Sequence, residues 1–412
     1  MKTLVLNCGS SSIKYQFINT ESQKVLTKGV VERIGMSGAV LTNLRHDGDE
    51  ATIAGDIFDH ITAIEYILAV LLSRNHGVIE NRNEIDAVGH RVVHGGEIFR
   101  ASVVVNDEVI KGIRGNIELA PLHNPHNLRG IQACQVHLPD TPQVAVFDTA
   151  FHQQMPEEAY LYGIPFSLYK QHKIRRYGFH GTSHYYVSQR AAELLGKPLR
   201  DIKMATCHLG NGCSITAIKN GNSVDTSMGF TPLEGLLMGT RSGDLDPSVI
   251  LYIMGKEGLN MAEASTLLNK HSGLLGISGV SSDMREIVEE MKEGNHRAKV
   301  AFKLFCYRIA KYLGAYAAAM GGIEAIVFTG GIGENSPDVR RECLATLGFL
   351  GVRLDDERNQ SVEREKIITT DASPVAALVV PTNEELVIAL ETARLVKKGS
   401  ETFQRKKESQ VN

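Results

Sequence analysis

The sequence predicts an α/β fold built from two related halves. Three observations carry this. A strand, a glycine turn and a second strand near residue 3 recur near residue 203. A further strand ending in paired glycines follows each copy in the same order. Stretches with helical periodicity lie between them.

In the first half, residues 3–7 read as a strand, Cys8-Gly9-Ser10-Ser11-Ser12 is a turn, and residues 13–18 and 25–31 resume as strands. In the second, residues 203–208 lead to Leu209-Gly210-Asn211-Gly212, then residues 213–219, the turn Asn220-Gly221-Asn222 and a strand into Asp225. The later echo pairs Ile85-Asp86-Ala87-Val88-Gly89, which leads to Gly95-Gly96, with Ile323-Glu324-Ala325-Ile326-Val327, which leads to Gly330-Gly331. The spacing predicts a helix over 57–74, with Ile57, Ile61, Ile64, Leu68 and Leu71 on one face. An Ala-rich helix is expected over 297–320. Another is expected over 384–398, with Leu386, Leu390 and Ala393 together. Lys397-Lys398-Gly399 suits its C-terminus by charge and by glycine conformation. The polar tail from Ser400 is expected to fray. Ala145-Val146-Phe147-Asp148 reads as a buried strand just before the domain boundary. Ligands of α/β sheets sit at strand C-terminal ends, so Asp148 is placed to reach a site.

Composition narrows the function. The chain has 412 residues, 43% hydrophobic and 22% charged, an ordinary globular balance for two or three domains. A net charge of −3, with no basic arm or interleaved aromatic patch, predicts no nucleic-acid partner. Met1-Lys2-Thr3 runs straight into Leu4-Val5-Leu6, which is no secretory leader. The longest uncharged run in the Ala-rich helix, between Lys311 and Glu324, is 12 residues. A spanning helix needs about 20, so no membrane partner is expected and the location is read as cytoplasmic. Six cysteines without a CxxC pair fit a reducing compartment. Neither Cys207, His208 and Cys213 nor His123 and His126 supply the four spaced ligands of a zinc site.

Three glycine turns at strand ends are candidates for phosphate binding. Asn7-Cys8-Gly9-Ser10-Ser11-Ser12-Ile13-Lys14 offers backbone amides, hydroxyls and one cation. It is not a Walker loop, because it leads into a strand and no GxxxxGK[ST] occurs. On composition alone it reads equally as a hairpin turn. His208-Leu209-Gly210-Asn211-Gly212 is the second, and the turn from Thr329 through Gly331-Ile332-Gly333-Glu334-Asn335 to Pro337 is the third. Any one is weak; three in a duplicated fold point to a nucleotide. No GxGxxG with a downstream acid supports a dinucleotide site.

The opening string Val5 to Lys14 resembles the signature of the acetate kinase family. Gly89-His90-Arg91-Val92-Val93-His94-Gly95-Gly96, Phe147-Asp148-Thr149-Ala150-Phe151-His152 and Tyr177-Gly178-Phe179-His180-Gly181-Thr182-Ser183-His184 resemble further motifs of that family. So do Met238-Gly239-Thr240-Arg241-Ser242-Gly243-Asp244 and Pro381-Thr382-Asn383-Glu384-Glu385. The resemblance runs from residue 3 to about 396. It implies two duplicated actin-like ATPase domains, ribonuclease H-like, with a nucleotide cleft between them. Residues 1–150 with 386–412 would form the acid-substrate side, and 151–385 the nucleotide and dimerisation side. It implies reversible transfer of phosphate between ATP and acetate, giving ADP and acetyl phosphate, with Mg²⁺ or alternatively Mn²⁺, in a homodimer. It makes Asn7 and Glu384 metal-linked. It places Arg91 at the substrate carboxylate, and Asp148, His180 and Arg241 at the reacting phosphoryl. It lines the acyl pocket with Val93, Leu122, Phe179 and Pro232. Lys14, His208, Leu209, Gly210, Asn211, Gly212, Asp283, Met284, Arg285, Gly331, Ile332, Gly333, Glu334 and Asn335 would contact the nucleotide.

These residue types suit that chemistry. A carboxylate nucleophile, with a pKa of about 4–5 by analogy with Asp and Glu, is already ionised at neutral pH, so no general base is needed. The obstacle is an anion approaching an anion, which calls for positioning and charge neutralisation. Arginine's planar fork fits carboxylate and phosphate. Mg²⁺ keeps several waters and needs few protein carboxylates, as Glu384 could provide. Asp148 is expected to orient an arginine or a metal-bound water. All four acyl-pocket residues are apolar, which fits a methyl group. Three rivals remain open at this stage: a propionate or butyrate kinase, an actin-like or chaperone-like ATPase, and a protein using the glycine turns only for folding. Two routes also remain: direct in-line transfer, which is preferred, or a phosphorylated Glu384.

Overall fold

The computed structural model describes residues 1–411, with side chains to residue 399. The expectation that the tail from Ser400 frays lies outside the residues whose side chains are described. The chain forms two compact units, Met1–Ala150 with the chain from Asn383 onward, and Phe151–Thr382.

The first unit holds one sheet of eight strands. They are β1 (Lys2–Cys8), β2 (Ser12–Asn19), β3 (Lys24–Glu32), β4 (Ala39–Arg45), β5 (Glu50–Gly55), β6 (Ala87–Val92), β7 (Val103–Val104) and β8 (Gln143–Phe147). Their order is β5-β4-β3-β2-β1-β6-β8-β7. Strands β1 to β5 form an antiparallel meander joined by short turns. Strands β6 and β8 run parallel to β1 and are reached by helical crossovers, as parallel pairing requires. Leu4, Val5 and Leu6 on β1 are all buried, so both faces of this strand are covered.

The second unit holds β9 (Met204–Leu209), β10 (Cys213–Lys219), β11 (Asn222–Thr226), β12 (Ala325–Thr329), β13 (Lys366–Ile367) and β14 (Ala376–Val379). Their order is β11-β10-β9-β12-β14-β13. The run β11-β10-β9-β12-β14 repeats β3-β2-β1-β6-β8 strand for strand. In each, an antiparallel trio is followed by two parallel strands. This is the duplication the repeated patterns predict. Both echoes fall where they should, with β1 matching β9 and β6 matching β12.

The helix expected over 57–74 is shorter, His60–Leu71, because the Asp59 carboxylate caps it by accepting from Thr62 N. Ile57 is buried in the preceding loop, whereas Ile61 is 43% exposed and does not belong to the buried face. The Ala-rich helix is His296–Met320. The last helix is Glu384–Val411 and continues past the stop signal at Lys397-Lys398-Gly399. It packs on β6 in the first unit. A Cβ added at Gly89 would stand 2.5 Å from Thr392 Oγ1 and 2.7 Å from Ile388 Cγ2, so the approach demands glycine there. Because this helix is one element from Glu384, the second unit ends at Thr382, ahead of the expected crossing at 385–386. The third glycine turn is itself a short helix, Gly330–Asn335, followed by the helix Pro337–Ala345. No helix among the described residues is long and apolar enough to cross a membrane.

Candidate active site

In the first unit, the C-terminal strand ends gather charge. Arg91 lies near the end of β6 and Asp148 just past β8, fixed by the Asp148 N–H donating to Val92 O at 3.0 Å. The Arg91 guanidinium grips the fully buried Asp148 with both prongs, Nε to Oδ1 at 3.0 Å and Nη2 to Oδ2 at 2.6 Å. Asp148, with Glu384 and Glu385 nearby, holds Arg91 firmly in its charged form. The β1–β6 register, extended one residue beyond Leu6 and His90, brings Asn7 beside Arg91. Glu384 opens the last helix, whose start is capped by Asn383 Oδ1 accepting from Leu386 N at 3.2 Å.

The side chain of Glu384 is half-buried, but its Oε1 is fully enclosed and has no hydrogen-bond partner. Burial pushes its carboxyl up to about 7. Arg91 opposes this, while Asp148 and Glu385 reinforce it. Three carboxylates around one arginine leave a local excess of negative charge, and an unpaired carboxylate oxygen sits within it. That donor set suits a hydrated divalent cation. Among the described residues no cluster of three or more His, Cys, Asp and Glu offers a full protein cage. Mg²⁺ does not need one, because it keeps several waters.

In the second unit, Arg241, His180 and the turn 210–212 converge. A Cβ added at Gly212 would lie 3.5 Å from Arg241 Nη1 and 3.6 Å from His180 Cε1. Gly239 N–H donates to Asn211 O at 3.0 Å, and a Cβ at Gly239 would meet Asn211 Oδ1 at 2.0 Å. Only glycine lets the Arg241 segment dock on the turn this closely. Arg241 has no carboxylate partner among the described residues; its Nη1 donates to Pro232 O at 3.2 Å. Burial pushes its guanidinium pKa down, the mark of a cation set where no anion yet answers it.

His180 stands at the start of the helix Gly181–Leu194 with a left-handed backbone, φ 55°, which is uncommon for a residue with a side chain. Its ring stacks on His208 with centroids 4.2 Å apart. Its Nδ1 meets Ser214 Oγ at 2.9 Å, and the same hydroxyl meets His184 Nε2 at 2.7 Å. Burial holds His184 well below the usual imidazole range, so it is a neutral prop. His208 Nδ1 is held by Ser183 Oγ at 2.8 Å.

A cavity of about 710 Å³ in the second unit is lined by eight of the expected nucleotide contacts, Gly210, Asn211, Asp283, Met284, Arg285, Gly331, Ile332 and Asn335. His208, Leu209, Gly212, Gly333 and Glu334 are in the same unit but do not line it. Leu209 is a buried strand residue. The Glu334 carboxylate turns back on its own helix, accepting from Gly330 N–H at 2.9 Å and Thr382 N–H at 3.3 Å. Lys14 belongs to the first unit, exposed on β2 opposite Asn7. Of the acyl-pocket candidates, Val93 and Leu122 are in the first unit, Phe179 and Pro232 in the second. Val93 and Phe179 are buried, but Leu122 is 75% exposed.

Two kinds of residue escaped the sequence reading. Val288, Glu289 and Lys292 line the cavity beside Arg285 on the helix Met284–Lys292. Their spacing from Arg285, three, four and seven residues on, is the signal that would have found them. Arg340 is buried beneath the cavity wall, donating from Nη1 to Gly333 O and Glu334 O, both at 2.9 Å. Burial lowers its pKa to about 10. No local pattern marks it, because its other partners, Asn359 Oδ1 at 2.8 Å from Nε and Asn359 O at 2.7 Å from Nη2, lie 19 residues on.

Comparison with known proteins agrees with this geometry. The model of the acetokinase family matches residues 2–390. The chain is 57% identical to the acetate kinase of Caldanaerobacter subterraneus subsp. tengcongensis, across 96% of this chain and 99% of that one. Its structure resembles the crystal structure of Porphyromonas gingivalis acetate kinase, with a TM-score of 0.93 and 49% identity over 96% of this chain and 99% of the other. It also resembles a propionate kinase from Francisella tularensis, with a TM-score of 0.89 and 43% identity over 96% and 99%. From the repeated sheet, the placement of the matched motifs and these likenesses together, the chain belongs to the acetokinase family.

Proposed function

We propose that this chain catalyses reversible phosphoryl transfer between ATP and acetate, giving ADP and acetyl phosphate. The observation that carries the reading is Arg241. It is a partly buried cation with no carboxylate partner among the described residues, set beside His180 and a glycine turn that lines the cavity. A site of this kind is built to receive negative charge that develops during a reaction.

In the proposed mechanism the second unit binds the nucleotide in the 710 Å³ cavity, with Asn211, Arg285 and Asn335 among its walls. The backbone amides of Asn211 and Gly212 and the guanidinium of Arg241 take the charge of the terminal phosphoryl. His180, fixed through Nδ1 on Ser214, presents Nε2 as a donor to an equatorial oxygen. The first unit handles the acid. With two prongs on Asp148, Arg91 keeps Nη1 for the substrate carboxylate. Asp148 is thus an orienting group for Arg91 and needs no proton-abstracting role. Mg²⁺, with Mn²⁺ as a substitute, would be held by Glu384 and Asn7, and when bound neutralises phosphate charge. The acetate oxygen attacks phosphorus in line as the bond to ADP breaks. No covalent enzyme intermediate is required.

Propionate is the competing acid, since a propionate kinase is 43% identical. One methylene in an apolar pocket is worth about 1–3 kcal/mol, so propionate is expected to react more slowly than acetate. We further propose a cytoplasmic homodimer, which light scattering on the purified protein would test. The deciding assay measures acyl phosphate from ATP with acetate, propionate and butyrate, alongside Arg241→Ala. Acetate should give the highest kcat/KM, and the variant should lose at least a hundredfold. A higher kcat/KM for propionate would reassign the substrate. Inversion at a chiral phosphorus would support direct transfer; retention would support a phosphorylated Glu384.

A further inference from the structure

Two strand ends in the first unit carry site residues, and one side chain ties them together. β1 ends at Cys8, just past Asn7, and β6 ends at Val92, just before Val93. Neither the Val93 N–H nor the Cys8 carbonyl can be left buried and unpaired without cost. Asn127, 2% exposed on the helix Asn124–His137, serves both. Its Oδ1 accepts from Val93 N–H at 3.1 Å, and its Nδ2 donates to Cys8 O at 2.9 Å. One turn earlier the fully buried Asn124 grips the next residue, accepting from His94 N–H at 3.1 Å and donating to His94 O at 3.0 Å, with a longer bond to Asn116 O at 3.4 Å and none to Val93 or Cys8. The glycine turn has a separate tether, His60 Nε2 to Gly9 O at 2.8 Å. Asn127 is therefore the described side chain that spans from β1 to the Val93 backbone.

We propose that Asn127 is a positioning residue that sets acid specificity. Its single amide fixes the spacing between the Asn7 strand end and Val93, and so the room left for the acyl chain. The inference rests on the reading above, in which Val93 faces the acyl group. A carboxamide offers a donor and an acceptor side by side on one planar carbon. Without it, Val93 can retreat from the substrate while the helix and strands persist.

The test compares Asn127→Ala and Asn127→Ser with Asn124→Ala, a lesion in the same helix that leaves the Val93 contact intact. Each is assayed with acetate and propionate at saturating ATP, with Tm measured in parallel. Exchange of the Val93 amide is followed by hydrogen–deuterium exchange. Asn127→Ala should raise the propionate-to-acetate ratio of kcat/KM about threefold to tenfold, a fraction of one methylene's discrimination. It should also deprotect the Val93 amide and leave KM for ATP within twofold. Asn124→Ala should lower Tm comparably with an unchanged ratio. An unchanged ratio in Asn127→Ala, or an equal change in both variants, overturns the proposal. If Asn127→Ala does not fold, Asn127→Ser is read in the same way. A wild-type chain that phosphorylates neither acid overturns the underlying function instead.

Discussion

At the scale of single residues, the pairing at Arg91 separates two arginines that the sequence alone does not distinguish. Two arginines in glycine-flanked loops read alike in a one-dimensional string, yet their surroundings differ. Arg91 is bound bidentately to Asp148, whereas Arg241 donates to the Pro232 carbonyl and the Met238 thioether sulfur and meets no carboxylate among the described residues. Asp148→Asn should therefore act through Arg91. One charge of a mostly buried pair would be left unanswered, costing about 3 kcal/mol. A double-mutant cycle with Arg91→Ala should show strong coupling, measured by thermal unfolding. Glu384 makes a pH prediction. With its carboxyl raised to about 7, it is protonated below that pH and cannot hold a cation. Apparent Mg²⁺ affinity should fall about tenfold per unit as pH drops below 7, and level off above it. Mg²⁺ titrations between pH 5.5 and 8.5 check this, and Glu384→Gln should bind weakly and without that slope.

At the scale of elements, the helix Met284–Lys292 presents one face to the cavity proposed to hold the nucleotide. Arg285 is already engaged by Asp283, Nη2 to Oδ2 at 2.6 Å, whereas Lys292 has only a loose ion pair with Asp338, 3.8 Å, and is the more available cation on that face. Lys292→Ala should raise KM for ATP about twofold to fivefold with little change in kcat, as expected for an exposed charge contact. The strands were legible because β-branched runs broken by glycine state their own limits, and their repetition showed the duplication. Helix ends were less so. The signals at 397–399 describe an exposed surface as well as a terminus, and Ile61 has a periodic position but no partner across from it. The short helix Gly330–Asn335 was hidden because its glycines read as a turn, while the Glu334 carboxylate that closes it acts at a distance of four residues. Asn127 and Arg340 carry no local pattern: Asn127 bonds backbone atoms far along the chain, and Arg340 bonds the carbonyls of Gly333 and Glu334 together with the backbone and side chain of Asn359.

At the scale of the whole molecule, the Glu384 carboxyl also weighs on stability. Its folded pKa of about 7 stands above the ordinary 4.5. Between those values the folded chain keeps a proton that the unfolded chain releases, so stability falls as pH rises through that window and is level beyond it. In metal-free buffer the Tm advantage of Glu384→Gln over wild type should widen from pH 5 to 7.5, as read by calorimetry; a constant difference would contradict the assignment. Gly89→Ala tests how the last helix is seated. The added methyl meets Thr392 and Ile388, so Tm should fall by the equivalent of about 1–3 kcal/mol, with partial recovery in the double variant with Thr392→Ala. That seating has a consequence for the order of assembly. The ribosome makes the eight-strand sheet first, yet the helix that covers β6 and brings Glu384 emerges only after the entire second unit has been synthesised. A nascent or prematurely terminated chain that stops short of Glu384 therefore exposes an uncovered apolar sheet face and lacks one of its proposed metal ligands.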